Sequence, residues 1–158
     1  MLKLTKATKI SEIKREWHLI DIKGETLGRV ASKIAQLLMG KSKAYFVRNL
    51  DCGDYVVVIN AKDVITTGNK EKQKEYYRHS GYPGGFRRET LEKLRIRRPT
   101  EVIRHSVSGM VPQNRLKASM LKRLYVFPTE VHTYKDKFEK PAKGEVHEEV
   151  VKTEEVAK

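Results

Sequence analysis

Cysteine occurs once in this chain of 158 residues, at Cys52. A lone thiol excludes an internal disulfide framework and fits a reducing compartment. There is no run of about 18 apolar residues, so nothing reads as a membrane-spanning helix. The histidines are His18, His79, His105, His132 and His147, and they lack the paired spacing of a zinc site. Internal repeats are missing too. The opening MLKLTKATKISEIKREW has no apolar core like that of a secretory signal, and Glu12 and Glu16 argue against a mitochondrial presequence. Acidic residues are scarce across 78–123, where three stand against twelve lysines and arginines.

What is abundant is positive charge. The formal net charge is +13, and the isoelectric point is near 9.8. Such a balance says little about fold and much about partners: a polyanion such as nucleic acid, or an anionic membrane face. The charge is uneven. Residues 135–158 hold six lysines against seven acids, leaving 27 basic and 13 acidic side chains for 1–134. A chain of this length suits one domain. The composition divides it into an N-terminal extension (1–16), a single domain (17–134) and a charged tail (135–158), the last expected to be disordered.

WHLIDIK (17–23) reads as a buried strand. Leu27, Val30, Ala31, Ile34, Leu37 and Leu38 then recur on one helical face, and Gly40 is a natural stop. YVVVINA (55–61) is apolar enough for a strand covered on both faces, as in a parallel sheet. Strand, helix and strand in that order argue for a right-handed crossover. VITTG (64–68) is expected as a short strand and QKEYYRH (73–79) as a strand or extended arm. The pattern then turns helical: 90–98 up to Pro99, a second helix near 100–109, and a third from the cap Asn114 to Arg123. LYVF (124–127) reads as a last strand.

DIKGETLGR (21–29) is a strand, a glycine loop and a helix start, the kind of place where backbone N–H groups can meet a phosphate. It matches neither the Walker spacing nor G-x-G-x-x-G. Asp51-Cys52-Gly53-Asp54 offers two carboxylates and a thiol, but catalytic use needs a histidine or metal alongside, and a turn before YVVVINA is the simpler reading. Neither stretch implies an enzyme, a cofactor or a small-molecule substrate.

The basic residues are more telling. Arg29 lies in the first turn of a helix, facing the positive end of its dipole. Lys41, Lys43 and Arg48 surround Tyr45 and Phe46. Asn69, Lys70, Lys72 and Arg78 surround Tyr76 and Tyr77. HSGYPGGFRRE (79–89) supplies His79, Gly81, Tyr82, Gly84, Gly85, Phe86, Arg87 and Arg88. Arg95, Arg97, Arg98 and Arg104 follow, and then Arg115, Lys117, Lys122 and Arg123. At about 100° per residue, Leu116, Met120, Leu121 and Leu124 fall on one side of the last helix, with Arg115, Lys122 and Arg123 opposite. A single charge run is usually solvated surface. Five runs in a small domain, rich in arginine and interleaved with aromatics, point to nucleic acid: arginine makes planar contacts to phosphate, and tyrosine or histidine stacks on an unpaired base. Glycine would let the backbone approach a crowded ligand. Cations spread around the domain suit a folded RNA better than a DNA groove, and no common DNA-reading motif occurs.

The blocks WHLIDIKGETLGRVASKIAQLLMGKSKAYF, DCGDYVVVINAKDVITTGNKEKQKEYYRHSGYPGGFR, RRPTEVIRHSVSGMVP and LKRLYVF occur in that order over residues 17–128. In this the chain resembles the L-thirteen family of large-subunit ribosomal proteins. The resemblance implies a three-layer α/β/α domain on a mainly parallel four-stranded sheet, with basic loops and a helical C-terminal half. It implies RNA contact at Gly68, Asn69, Lys70, Tyr76, Tyr77, His79, Gly81, Gly84 and Gly85, and no catalysis. The implied partners are large-subunit ribosomal RNA and neighbouring large-subunit proteins. The implied place is the ribosome in the cytoplasm, bacterial in preference to the mitochondrial matrix. A free RNA-binding translational regulator is the alternative. The chain departs from bacterial members at 113–118, where QNRLKA stands for their usual Lys-Gly-Pro-Leu-Gly-Arg. It also has Phe127-Pro128 in place of Tyr-Ala.

Overall fold

The structure is a computed structural model that describes residues 8–138. Most of the expected charged tail and the first residues of the extension lie outside the described residues. Among the described residues there are five strands: β1 (Trp17–Asp21), β2 (Tyr55–Ile59), β3 (Glu75–His79), β4 (Phe86–Thr90) and β5 (Leu124–Val126). The α-helices are α1 (Leu27–Met39), the single turn α2 (Lys70–Gln73), α3 (Leu91–Arg97), α4 (Pro99–Met110) and α5 (Lys117–Lys122).

β1, β2 and β5 form a parallel sheet with β2 in the centre, in a register that sets Leu19 beside Val57 and Val57 beside Tyr125. The central place explains β2's composition: Val56, Val57, Val58 and Ile59 are all buried, as a strand covered on both faces requires. One face, with Val56, Val58 and Leu124, joins α1, α3 and α4 in the main core through Val30, Ile34, Leu38, Leu91, Ile103 and Val107. The other face is aromatic. Trp17 stacks on Tyr55 at 4.4 Å between ring centroids, and Tyr134 and Phe138 from beyond β5 close over it.

Helix α1 follows its periodicity, although Leu37 is only half-buried and Ala35 takes a core place. It ends where the sequence places the stop. Gly40 sits at φ +73°, the left-handed conformation of a helix C-cap. The glycine has a second reason: a Cβ there would stand 2.4 Å from the Cys52 carbonyl oxygen, and one on Gly53 would stand 1.8 Å from that of Leu38. The helix end and the Asp51–Asp54 turn therefore touch backbone to backbone.

Four expectations need correction. The four-stranded sheet is a three-stranded sheet plus a separate antiparallel pair, β3 with β4. The strand expected at 64–68 shrinks to one bridge between Ile65 and Thr26. A three-layer arrangement is not seen among the described residues, because the segment after β5 rather than an α-helix lies against the aromatic sheet face. The last helix is short. Asn114 accepts the N–H groups of Leu116 and Lys117 at 3.1 Å each and so caps the turn leading into it, but regular helix runs only from Lys117 to Lys122, with Leu116 at its N-cap. Pro99 does more than end α3: it opens α4 at a first-turn position where its missing N–H costs nothing.

Candidate nucleic-acid interface

The β3–β4 hairpin stands apart from the sheet, and the reason is in its residues. Tyr76 alone reaches the core, packing 5.3 Å from His105 between ring centroids. Burial raises the Tyr76 phenol above its ordinary value, and its hydroxyl has no hydrogen-bond partner among the described residues. Beyond Tyr76 the hairpin is held by its own ladder, with Tyr77 opposite Arg88, Arg78 opposite Arg87 and His79 opposite Phe86. The tip turns through Gly81 at φ +89° and Gly84 at φ +70°, neither of which has an atom within 4 Å of an added Cβ. Backbone conformation demands these glycines, not crowding. Gly85 differs: its Cβ would meet the Ser80 hydroxyl at 2.0 Å.

Like charges directly opposite each other across a ladder are destabilising. Arg78 and Arg87 are such a pair, with Arg88 next in sequence. Among the described residues none of the three has a carboxylate within ion-pair distance. Across from them the end of α3 brings Arg97 and Arg98, so that hairpin and helices enclose a cleft of about 550 Å³. Of its two acids, Glu89 pairs with Arg97 at 2.5 Å, and Glu101 stands 4.0 Å from His105 Nε2 one helical turn on. Lys93 lines the same cleft. The sequence reading missed it, although it lies four residues before Arg97 and so on the same helical face.

The other candidates sort into separate places. Lys41 and Arg48 meet Asn114 around an apolar cleft of about 390 Å³ floored by Phe46 and Met120. Lys70 borders another, of about 430 Å³, beside Gly28 at the start of α1. Asn69, Lys72, Arg29, Arg104, Arg115 and Lys122 are exposed, and Lys117 donates to Gln113 Oε1 at 2.7 Å. Arg95 turns from the hairpin cleft to Glu71, at 2.6 Å, and to the Lys62 carbonyl.

Two candidates point inward, each held by a carboxylate. Arg123 is 7% exposed and grips Asp51 through both terminal nitrogens at 2.5 Å. Lys43 donates to the buried carboxylate of Asp54 and to the Lys14 carbonyl. Asp54 also accepts the Glu16 N–H at 2.9 Å and faces His18 Nε2 at 3.2 Å. The DCGD turn is thus an internal anchor that ties together the chain before β1, the loop after α1 and the start of β5. Cys52, within it, is fully buried. Among the described residues no three His, Cys, Asp or Glu side chains gather as a metal site would need.

The class these features define is a small basic α/β domain with an uncompensated cationic hairpin. Comparison with known proteins narrows this. The profile of the family described as Ribosomal protein L13 matches residues 15–133, and the chain belongs to that family. It is 56% identical to "Large ribosomal subunit protein uL13" of Dehalococcoides mccartyi over 130 residues, 82% of this chain and 91% of the relative. The protein of the same description from Nitrosococcus oceani is 48% identical over 130 residues, covering 82% and 92%. That of Bordetella pertussis is 44% identical over 137 residues, covering 87% and 96%.

Proposed function

We propose that this protein is a constituent of the large ribosomal subunit that binds large-subunit ribosomal RNA, supports subunit assembly and translation, and carries out no catalysis. The observation that carries the reading is the facing pair Arg78 and Arg87, with Arg88 beside them. A fold that sets like charges against each other without a carboxylate between them gains from an external polyanion what it loses internally. Relatives described as large-subunit proteins support the same reading. They come from bacteria, which favours the bacterial cytoplasmic ribosome. Arg97, Arg98 and Lys93 extend the phosphate-binding face from the hairpin, and Lys41 with Arg48 provides a second contact beyond the C-terminal end of α1. The partners are the RNA and neighbouring large-subunit proteins.

Sedimentation of a cell lysate through sucrose, across a salt series, tests this. The expected result is cofractionation with large subunits that survives moderate salt. A chain found only in light fractions would refute the structural role and leave the free regulator.

A further inference from the structure

The hairpin has two faces of different chemistry. Successive side chains of a strand point to opposite faces, and residues directly opposite in an antiparallel ladder share one. Tyr76, Arg78 and Arg87 therefore lie on one face, which the packing of Tyr76 on the core turns toward the helices. Tyr77, His79, Phe86 and Arg88 lie on the other. There the rings of Tyr77 and Phe86 stack with centroids 5.7 Å apart and planes 20° from parallel. These rings are 67% and 57% exposed, and Tyr82 at the tip is 76% exposed.

A stacked, solvent-facing aromatic pair adds nothing to this core. It is an apolar platform beside Arg88, with the Tyr77 hydroxyl donating to Glu75 at 3.2 Å, and aromatic platforms of this kind are where unpaired bases stack. In a duplex the base faces are hidden against their neighbours, and only edges and phosphates reach a protein. Taking the RNA reading above as its basis, we infer that the hairpin engages an unpaired RNA segment, with a base stacked on Tyr77 and Phe86 beside Arg88, and with the RNA strand passing around the hairpin so that neighbouring phosphates meet Arg78 and Arg87 on the opposite face. Selectivity for unpaired over paired RNA then resides on the aromatic face, and the salt-dependent affinity on the arginine face.

Anisotropy titrations of the full chain test the division. The probes are a labelled single-stranded RNA of about 12 nucleotides, its blunt duplex, and that duplex with one bulged nucleotide. The wild type is expected to bind the single strand and the bulged duplex more tightly than the blunt one. Tyr77→Ala with Phe86→Ala lowers affinity for the first two by about tenfold or more, leaving blunt-duplex affinity and the salt slope unchanged. Tyr77→Leu with Phe86→Leu, which keeps apolar bulk without a π-face, does the same; Tyr77→Phe retains binding. Arg78→Ala with Arg87→Ala weakens all three probes and reduces the single-strand salt slope by about 1.4, two phosphates' worth. If the aromatic variants weaken paired and unpaired probes alike, or neither, the division is wrong while the RNA reading stands. If the wild type binds no probe, both fall.

Discussion

Replacing Arg87 with glutamate sets stability and binding against each other. Arg87 faces Arg78 across the hairpin, and the substitution turns a repulsive cross-strand pair into an attractive one. Such pairs are worth about 0.2–1 kcal/mol, and the site is exposed, so a gain of about 0.5–1 kcal/mol is expected. For a chain of this size that is a rise in Tm of about 1–4 °C. RNA binding moves the other way. One charge-assisted contact is worth at least about 1.5 kcal/mol, so affinity for deproteinised large-subunit ribosomal RNA falls about tenfold or more. The salt slope falls by about 0.7–0.9, one phosphate's worth. Thermal melts and filter binding across a salt series read the two effects on one preparation. A residue with only a structural role would lose stability and binding together, and a solvated bystander would change neither. A lower Tm with unchanged binding would refute the functional reading of the arginine pair.

Arg123→Ala removes the bidentate partner of Asp51 in a partly buried site, leaving it the longer contact to Arg15 at 3.8 Å, and is expected to cost about 3 kcal/mol in chemical denaturation; a loss below about 1 kcal/mol would mean that the anchor carries little. Gly40→Ala forces a side chain into left-handed backbone 2.4 Å from the Cys52 carbonyl. It should destabilise by more than the ~1 kcal/mol of the backbone strain alone, and a mere few tenths would show that the helix end can move aside. Asp21 accepts a hydrogen bond from Asn60 Nδ2 at 2.8 Å, which with the Lys23 N–H holds its carboxyl below the ordinary 3.8. Its contribution to stability is therefore present above that value and is lost as pH falls through the lower, folded one. Asn60→Gly tolerates the positive φ of 61° but removes the amide; carboxyl NMR should show Asp21 titrating closer to 3.8, and an unmoved titration would assign the shift to the backbone instead.

The elements legible in the sequence are those whose pattern is imposed by the core. Helix α1 buries a face at 3.6-residue spacing, and β2 is apolar throughout because sheet neighbours and packing cover it on both sides. Strand β4, FRRET, was illegible for the converse reason. With no residue of β4 buried in the core, nothing imposes alternation, and the run reads as a basic loop. The stretch VITTG has the composition of a strand, but it meets its neighbour at Ile65 alone. The glycines of the tip were expected to make room for a ligand, whereas Gly81 and Gly84 answer to a positive φ.

The candidate interface divides in the same way. Composition and spacing by themselves determined that the chain is a strongly basic domain suited to a polyanion, since net charge is a sum that no folding alters. They also carried the family, whose blocks run in order from Trp17 to Phe127. Only the tertiary structure decided which cations are available. Arg123 and Lys122 look alike in sequence, yet Arg123 is clamped by Asp51 from 72 positions away while Lys122 remains exposed. An ion pair forms within a few ångströms or not at all, and that distance is set by how the sheet brings remote segments together, which no local pattern encodes.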